Sequence, residues 1–497
     1  MKNFYVPNRF KGRTGYQIFV DRYYRSSLQL EKMEGRRIKS WEDSSLDWKP
    51  DPDGEYRNEY FYGGNLQGII SKLDFIKDLG FNLIYLSPIS KTHTNHHYDV
   101  ENQLILDPYI GEWKDFKELC CEAHKRDILI CVDLVFNHMG YRSEAFQAAI
   151  HGDIHYSKWF EWDSEGNPIY WYGFRDMPQC NKLNQEYQEY AFEVAKKYIV
   201  CGADGLRLDL GEILPIDFLV NFRKHVKSIN EEILIVSEMW DLDAKRKYSQ
   251  LDGSQVDSVM NYPLSDAILR WIRWRNNLHM QYTLSELSNY PVNVQDVLWN
   301  FLDSHDTPRA ITMLDGEKMC QDPYSGRIWD IESSWRTPYG FDTYQFRKWE
   351  SEHDSVNMEK AMKKLKLASL LQYLMKGTPI VFYGTEAGLS GYKDPFNRKR
   401  YPWDSINSEL LNHYKAIGKM RADFTNVLAT GEQSQNVNPY IMRLERTLKG
   451  KKIIAWINAS DNEVKISDID GGGTEIFNIN NCTSKILNPE GAIVYYY

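Results

Sequence analysis

Short apolar runs separated by helical periods set the rhythm of this chain. YQIFVDRY from residue 16, LIYLSP from 83, ILICVDLVFNH from 128, GLRLDL from 205, ILIVSEMW from 233, VDSVMNY from 256, VLWNFLDSHD from 297 and PIVFYGTE from 379 are β-branched or aromatic runs of strand length. Between most of them lie helical patterns; in DFKELCCEAHKRD, Phe116, Leu119, Cys120 and Ala123 recur at helical spacing. Eight near-continuous apolar strands alternating with helices predict an α/β protein whose parallel sheet is covered on its outer face. A closed (β/α)8 TIM barrel is the simplest eight-unit solution. An open doubly wound sheet would more often carry a glycine-rich phosphate loop after its first strand, and here that strand runs into DRYYRSS.

Two segments break the rhythm. Residues 139–182, rich in Trp, Tyr, Gly and Asp, show no helical period over HYSKWFEWDSEGNPIYWYGF and are expected to form a small irregular excursion after the third strand. From about residue 416, PYIMRLERT, KKIIAWINAS and GAIVYYY alternate in strand fashion between Gly, Asn and Asp turns. The expected division is therefore a barrel of residues 1–138 and 183–415, an inserted domain of 139–182, and a C-terminal antiparallel β-sandwich of 416–497.

Composition narrows the function classes. A chain of 497 residues with 42% hydrophobic and 26% charged positions is long enough for one large core with appendages. Its net charge of -9 argues against nucleic acid or an anionic membrane as the main partner. The aromatic content of 14% suits a site that stacks on flat apolar faces, sugar rings among them. No signal-peptide segment follows the first charges and no run of 18 or more apolar residues occurs, so a cytoplasmic protein is expected. Seven cysteines, an odd count without a CxxC pair, fit reduced core residues.

Polar residues gather where the strands end. Asp133, Asn137 and His138 follow the third, Arg207 and Asp209 lie on the fourth, Glu238 follows the fifth, and His305 and Asp306 follow the seventh. In GLRLDLGE the strand alternation sends Arg207 and Asp209 to one side and Leu206, Leu208 and Leu210 to the other. One acid at a strand end commonly caps a helix. Several acids, two histidines and an arginine converging on one barrel mouth are a different matter, because like charges held close are costly unless a partner or a task uses them. Two carboxylates about 5 to 5.5 Å apart, one nucleophile and one acid, are what retaining glycoside hydrolysis requires. A metal site is the rival reading. HExxH spacing is absent, however, and the acids sit on separate strands beside an arginine that would repel a cation.

Ten ordered stretches identify the resemblance: YQIFVDRYYRS, FYGGNLQGIISKLDFIKDLGFNLIYLSPI, HHYDVEN, DLVFNH, MPQCN, GLRLDLGE, VSEMW, VMNYPLSDAI, FLDSHDTPR and KGTPIVFYGTEAGLSGYKDPFNRKRYPW. Along nearly its whole length the chain resembles the α-amylase family, the retaining glycoside hydrolases of family 13. The resemblance implies Asp209 as nucleophile, Glu238 as general acid and then base, and Asp306 as the third carboxylate that binds sugar hydroxyls. Tyr98 matches the aromatic platform under the reacting sugar, and His138 and His305 match hydroxyl-binding histidines. Arg207 would hold Asp209 ionised and oriented, whereas Glu238 would need a raised pKa to keep its proton. Asp99 and Arg398 match positions that close the sugar site in exo-acting members and support the fold in others; Asp394 is a weaker match. No cofactor is implied for the chemistry. Asn137 matches a position that binds calcium in many α-amylases, which makes structural calcium an open expectation.

The implied activity is hydrolysis of α-1,4-glucosidic bonds in starch-derived glucans or maltodextrins by double displacement. The alternative is a neopullulanase- or cyclomaltodextrinase-type enzyme that also takes α-1,6 bonds or cyclodextrins or transfers glycosyl units. MPQCN, ending in Asn181, resembles the MPKLN pattern of those relatives, but with the first barrel strand beginning near residue 16 their N-terminal β domain is not expected here. Their dimer is accordingly not inferred. Glu212 and Ile213 depart from the Lys-His and Asn-Glu pairs usual after the nucleophile, which alters the acceptor side. A non-catalytic α-glucan-binding relative is the reading from another class, and the presence of all three carboxylates argues against it. Loops 24–62, 139–182 and 311–358 carry Trp and Tyr residues around the mouth.

Overall fold

The computed structural model describes residues 4–26, 33, 35–46, 48–49, 58–240, 250–315, 347–348, 350–352, 355–467 and 472–497. Much of the expected mouth loops 24–62 and 311–358 lies outside these residues. All eight expected strands are present: β1 (Gly15–Ile18), β2 (Leu83–Leu86), β3 (Leu129–Leu134), β4 (Gly205–Leu208), β5 (Leu234–Ser237), β6 (Ser258–Val259), β7 (Trp299–Asn300) and β8 (Thr378–Phe382). They pair in parallel in the order β6-β5-β4-β3-β2-β1-β8-β7. A parallel bridge between Met260 and Trp299, with Asn261 N–H donating to Trp299 O at 2.8 Å, joins β6 to β7 and closes the barrel. The strands are buried along their whole length, which is why they read as continuous apolar runs.

The helices form where the pattern places them. α1 (Trp113–Lys125) buries Phe116, Leu119, Cys120 and Ala123, and a reciprocal capping box between Glu112 and Asp115 sets its start. α2 (Gln185–Val200) starts at Asn184, whose side chain accepts from Tyr187 N–H, and packs beside α3 (Ile216–Ile229) on the outside of the barrel.

Residues 139–182 are not wholly irregular. A two-turn helix, Glu144–Ile150, is capped by Ser143, and isolated bridges tie His138 to Gln179 and Phe160 to Cys180. The helical period there is too short to stand out against the aromatic stretch that follows. A second feature that alternation did not reveal is an antiparallel pair, Ser90–Thr92 with Val100–Leu106, which brackets the HHYDV loop after β2. Beyond the barrel, β9 (Glu432–Val437), β10 (Ile441–Leu448), β11 (Lys451–Asn458), β12 (Thr474–Ile479) and β13 (Gly491–Tyr496) form an antiparallel sheet of order β9-β10-β11-β13-β12. A two-stranded ribbon, Val464–Lys465 with Ile486–Leu487, accompanies it.

A buried acid follows β8. Glu386 is fully buried, accepts from Tyr16 Oη at 2.7 Å, and is pushed by burial up to about 7. An acid that holds its proton more tightly folded than unfolded contributes stability at low pH that is lost as pH rises through about 7. The melting temperature is therefore expected to fall between pH 5 and pH 8. Glu386→Gln should flatten that fall by about 1–3 kcal/mol in unfolding free energy, a change that denaturation at several pH values would measure.

Candidate active site

The ends of β3, β4, β5 and β7 bring the polar residues together as the strand pattern predicts. Arg207 stands at their centre with no exposed surface. Its Nη1 donates to both oxygens of Asp133 at 2.7 Å and to Asp209 Oδ1 at 3.1 Å, while Nη2 lies 2.9 Å from Glu238 Oε2. One guanidinium thus touches three carboxylates on three strands. Asp209 is further fixed by its backbone N–H on Leu134 O at 2.9 Å. The turn beyond it holds Leu210 at φ 50°, a left-handed conformation that a leucine adopts only under constraint. That turn aims Leu210 N–H at Glu238 Oε2, 2.7 Å away, and Trp240 Nε1 donates to Glu238 Oε1 at 2.8 Å. Trp240 is itself stacked on Tyr262 at 3.9 Å.

A second network covers the other wall. Tyr85 and Tyr98 donate to Asp133 Oδ2 at 2.6 and 2.9 Å. Tyr98 Oη also lies 2.6 Å from His305 Nε2, the two rings are stacked at 5.2 Å, and Gln17 Nε2 meets His305 Nδ1 at 2.7 Å. With Gln17 donating to Nδ1, the neutral His305 carries its proton on Nε2. That nitrogen is 3.1 Å from Asp306 Oδ2. Arg398 donates Nε–H to His305 O at 2.9 Å, and its Nη atoms lie 3.6 Å from Asp306 and 3.5 Å from Asp394. Burial holds the His305 ring well below its ordinary value, and Arg398 and Arg207 add to that.

The electrostatics differ from the expectation for Asp209. Burial raises it well above the ordinary carboxylate range, Arg207 pulls it down, and Glu238, Asp133 and Asp306 push it further up. Arg207 does oppose the rise, but its single charge is divided among three acids. Asp133 is pushed by burial to about 6, and burial also raises Asp306. Asp209, Asp133 and Asp306, packed together beside two guanidinium groups, hold their protons more tightly than isolated carboxyls do.

Two expected residues are placed differently from the rest. Asp99 is buried, with Oδ1 accepting from Thr92 and Thr94 hydroxyls, and burial raises its pKa. Through Oδ1 it braces the loop that carries Tyr98. His138 donates Nε2–H to Tyr98 O at 3.1 Å, stacks on Trp171 at 5.6 Å, and is held down to about 4 by burial and by Lys182.

The sequence model "Alpha amylase, catalytic domain" matches residues 6–325 of the chain. The chain belongs to the α-amylase family. As a member, this α-amylase-family chain is a glycoside hydrolase of α-glucans, and the chemistry of that class needs no cofactor. It is 29% identical to a cyclomaltodextrinase of Thermoanaerobacter pseudethanolicus, with 94% of this chain and 74% of the relative covered. A cyclomaltodextrinase of Geobacillus thermopakistaniensis is 31% identical over 85% of this chain and 64% of its own length, so the chain spans somewhat less than two thirds of that relative. Among solved structures, cyclic α-maltosyl-(1→6)-maltose hydrolase of Arthrobacter globiformis, complexed with that sugar, superposes with a TM-score of 0.79. It shares 25% identity and covers 99% of this chain and 100% of its own.

The polar cluster at the strand ends also includes residues that pattern reading did not single out. Gln17 and Tyr85 sit inside apolar strand runs, where a polar tip aimed into the barrel is the only signal. Trp240 closes the VSEMW stretch and holds Glu238. Glu212, one of the departures, accepts from Trp240 N–H at 3.3 Å, while Ile213 is exposed at the mouth. At the position expected to bind calcium, Asn137 Oδ1 instead faces Lys182 Nζ at 3.3 Å, and that ammonium also lies 2.9 Å from Glu161 Oε1. No group of three or more His, Cys, Asp or Glu side chains placed to hold a metal occurs among the described residues. The donors around Asn137 therefore do not fit calcium, which takes six to eight oxygens. No described helix is long and apolar enough to cross a membrane.

Proposed function

We propose that the chain hydrolyses α-1,4-glucosidic bonds of maltodextrins and related starch-derived glucans with retention of configuration. Asp209 attacks the anomeric carbon while Glu238 protonates the departing glycosidic oxygen. Glu238 then takes a proton from water, which attacks the same carbon and releases the α-anomer. The observation that carries this reading is the single guanidinium of Arg207, which touches both Asp209 and Glu238 and so brings their carboxyls close together. In this reading Asp306, backed by His305 and Arg398, binds sugar hydroxyls together with His138, and Tyr98 stacks on His305 beside Asp306. The division of the chain into barrel, inserted segment 139–182 and C-terminal β domain supports the same reading, since the barrel segments 1–138 and 183–415 bear the site residues.

Cyclodextrin and pullulan belong in the substrate set, because named relatives are cyclomaltodextrinases and a neopullulanase. A cytoplasmic location is supported by the intracellular maltogenic amylase of Bacillus subtilis, 28% identical over 92% of this chain. The test is product analysis over time with maltoheptaose, a cyclodextrin, pullulan and starch, using Glu238→Gln as the blank. Shorter maltodextrins released from maltoheptaose support the reading. No product from any of the four would overturn it.

A further inference from the structure

Lys182 follows MPQCN directly and is buried although it carries a charge. Its ammonium lies between Glu161 Oε1 at 2.9 Å and Asn137 Oδ1 at 3.3 Å. An ammonium can only donate, so the Asn137 amide must turn its oxygen to Lys182 and its Nδ2 the other way. Nδ2 then meets His138 Nδ1 at 3.5 Å, and the ring proton is left on Nε2, which donates to Tyr98 O at 3.1 Å. The same point ties down the inserted segment: Cys180 N–H donates to Asn137 O at 2.9 Å, and Gln188 Nε2 donates to Lys182 O at 3.0 Å.

We propose that Lys182 is a built-in cation that stands in the place of a calcium ion and, through Asn137, sets the orientation and tautomer of His138 at the sugar site. The proposal rests on the reading that His138 binds sugar. Lys182 is in this sense a positioning residue. It acts on ligand binding more than on bond cleavage, because neither Asp209 nor Glu238 is in contact with it among the described interactions.

The test compares wild type, Lys182→Met, Lys182→Arg, His138→Ala and the double variant Lys182→Met/His138→Ala, with maltoheptaose kinetics and thermal melting before and after EDTA and millimolar calcium. Lys182→Met is expected to raise KM about 10-fold while kcat changes far less, the scale of one hydrogen bond lost at a charged group. Lys182→Arg should recover part of that loss, and the double variant should be no worse than His138→Ala. Wild-type activity and melting temperature should not respond to EDTA or calcium. A wild type that loses activity with EDTA and regains it with calcium would overturn the proposal whether or not the variants fold. So would a Lys182→Met enzyme whose KM is unchanged. If His138→Ala leaves KM unchanged, it is the sugar-site reading that fails, and the proposal fails with it.

Discussion

Asp209→Asn is expected to lower kcat on maltoheptaose by roughly 10⁴-fold or more, since it removes the nucleophile on which both steps depend. The same substitution should leave the melting temperature unchanged or raise it. Burial and three neighbouring carboxylates already oppose the charge on Asp209, and an amide of the same shape relieves that opposition. Loss of turnover with a stable fold is the signature of a residue kept for chemistry. Glu238→Gln separates the two roles further. Its cleavage of maltoheptaose should fall by roughly 10² to 10⁴-fold, whereas an aryl α-maltoside whose leaving group needs no protonation should still be cleaved once, giving a burst of phenol equal to the enzyme. Asp209→Asn should give no burst, and one of similar size would deny it the nucleophile's role.

Arg207→Met carries the second large effect. The guanidinium is fully buried and serves Asp133, Asp209 and Glu238 together, so its removal strands three acids without their counter-charge. Breaking a buried pair of this kind costs about 3–5 kcal/mol. The cost should depend on pH in a defined direction. Asp133 is already raised to about 6 with Arg207 present. Without it the folded-state value rises further, so the variant is least impaired where the acids are protonated, near pH 5, and loses stability as pH climbs toward 8. Urea denaturation at pH 5 and pH 8 measures the difference. Arg207→Lys should not rescue activity, because one compact ammonium cannot reach three carboxylates that a planar fork spans. A pH-independent loss would mean that Arg207 acts as packing, not as charge.

The barrel was legible because fully buried parallel strands leave continuous apolar runs, and all eight runs became strands. The site was legible because its charged residues interrupt those runs at the ends that converge. What the chain hid are features without a local period. The bracket Ser90–Thr92 with Val100–Leu106 depends on pairing across a loop, and the helix Glu144–Ile150 is only two turns long. Lys182 reads as an ordinary surface lysine until the fold buries it against Asn137 and Glu161, forty-five and twenty-one positions away in the chain. Asp99, singled out by motif, proves to be braced by Thr92 and Thr94, contacts that spacing alone does not encode. The direction of the Asp209 shift was likewise hidden, because sequence names the arginine but not how many acids share it.

The central claim is that cleavage passes through a glycosyl-enzyme on Asp209. Its most direct test is mass spectrometry of the protein after reaction with an α-glucosyl fluoride bearing fluorine on the sugar ring, which slows breakdown of the covalent intermediate, followed by peptide mapping. The account predicts one added glycosyl unit on the peptide that contains GLRLDLGE, attached at Asp209. A label on another carboxylate, or intact unlabelled protein that nonetheless turns the fluoride over, would contradict it.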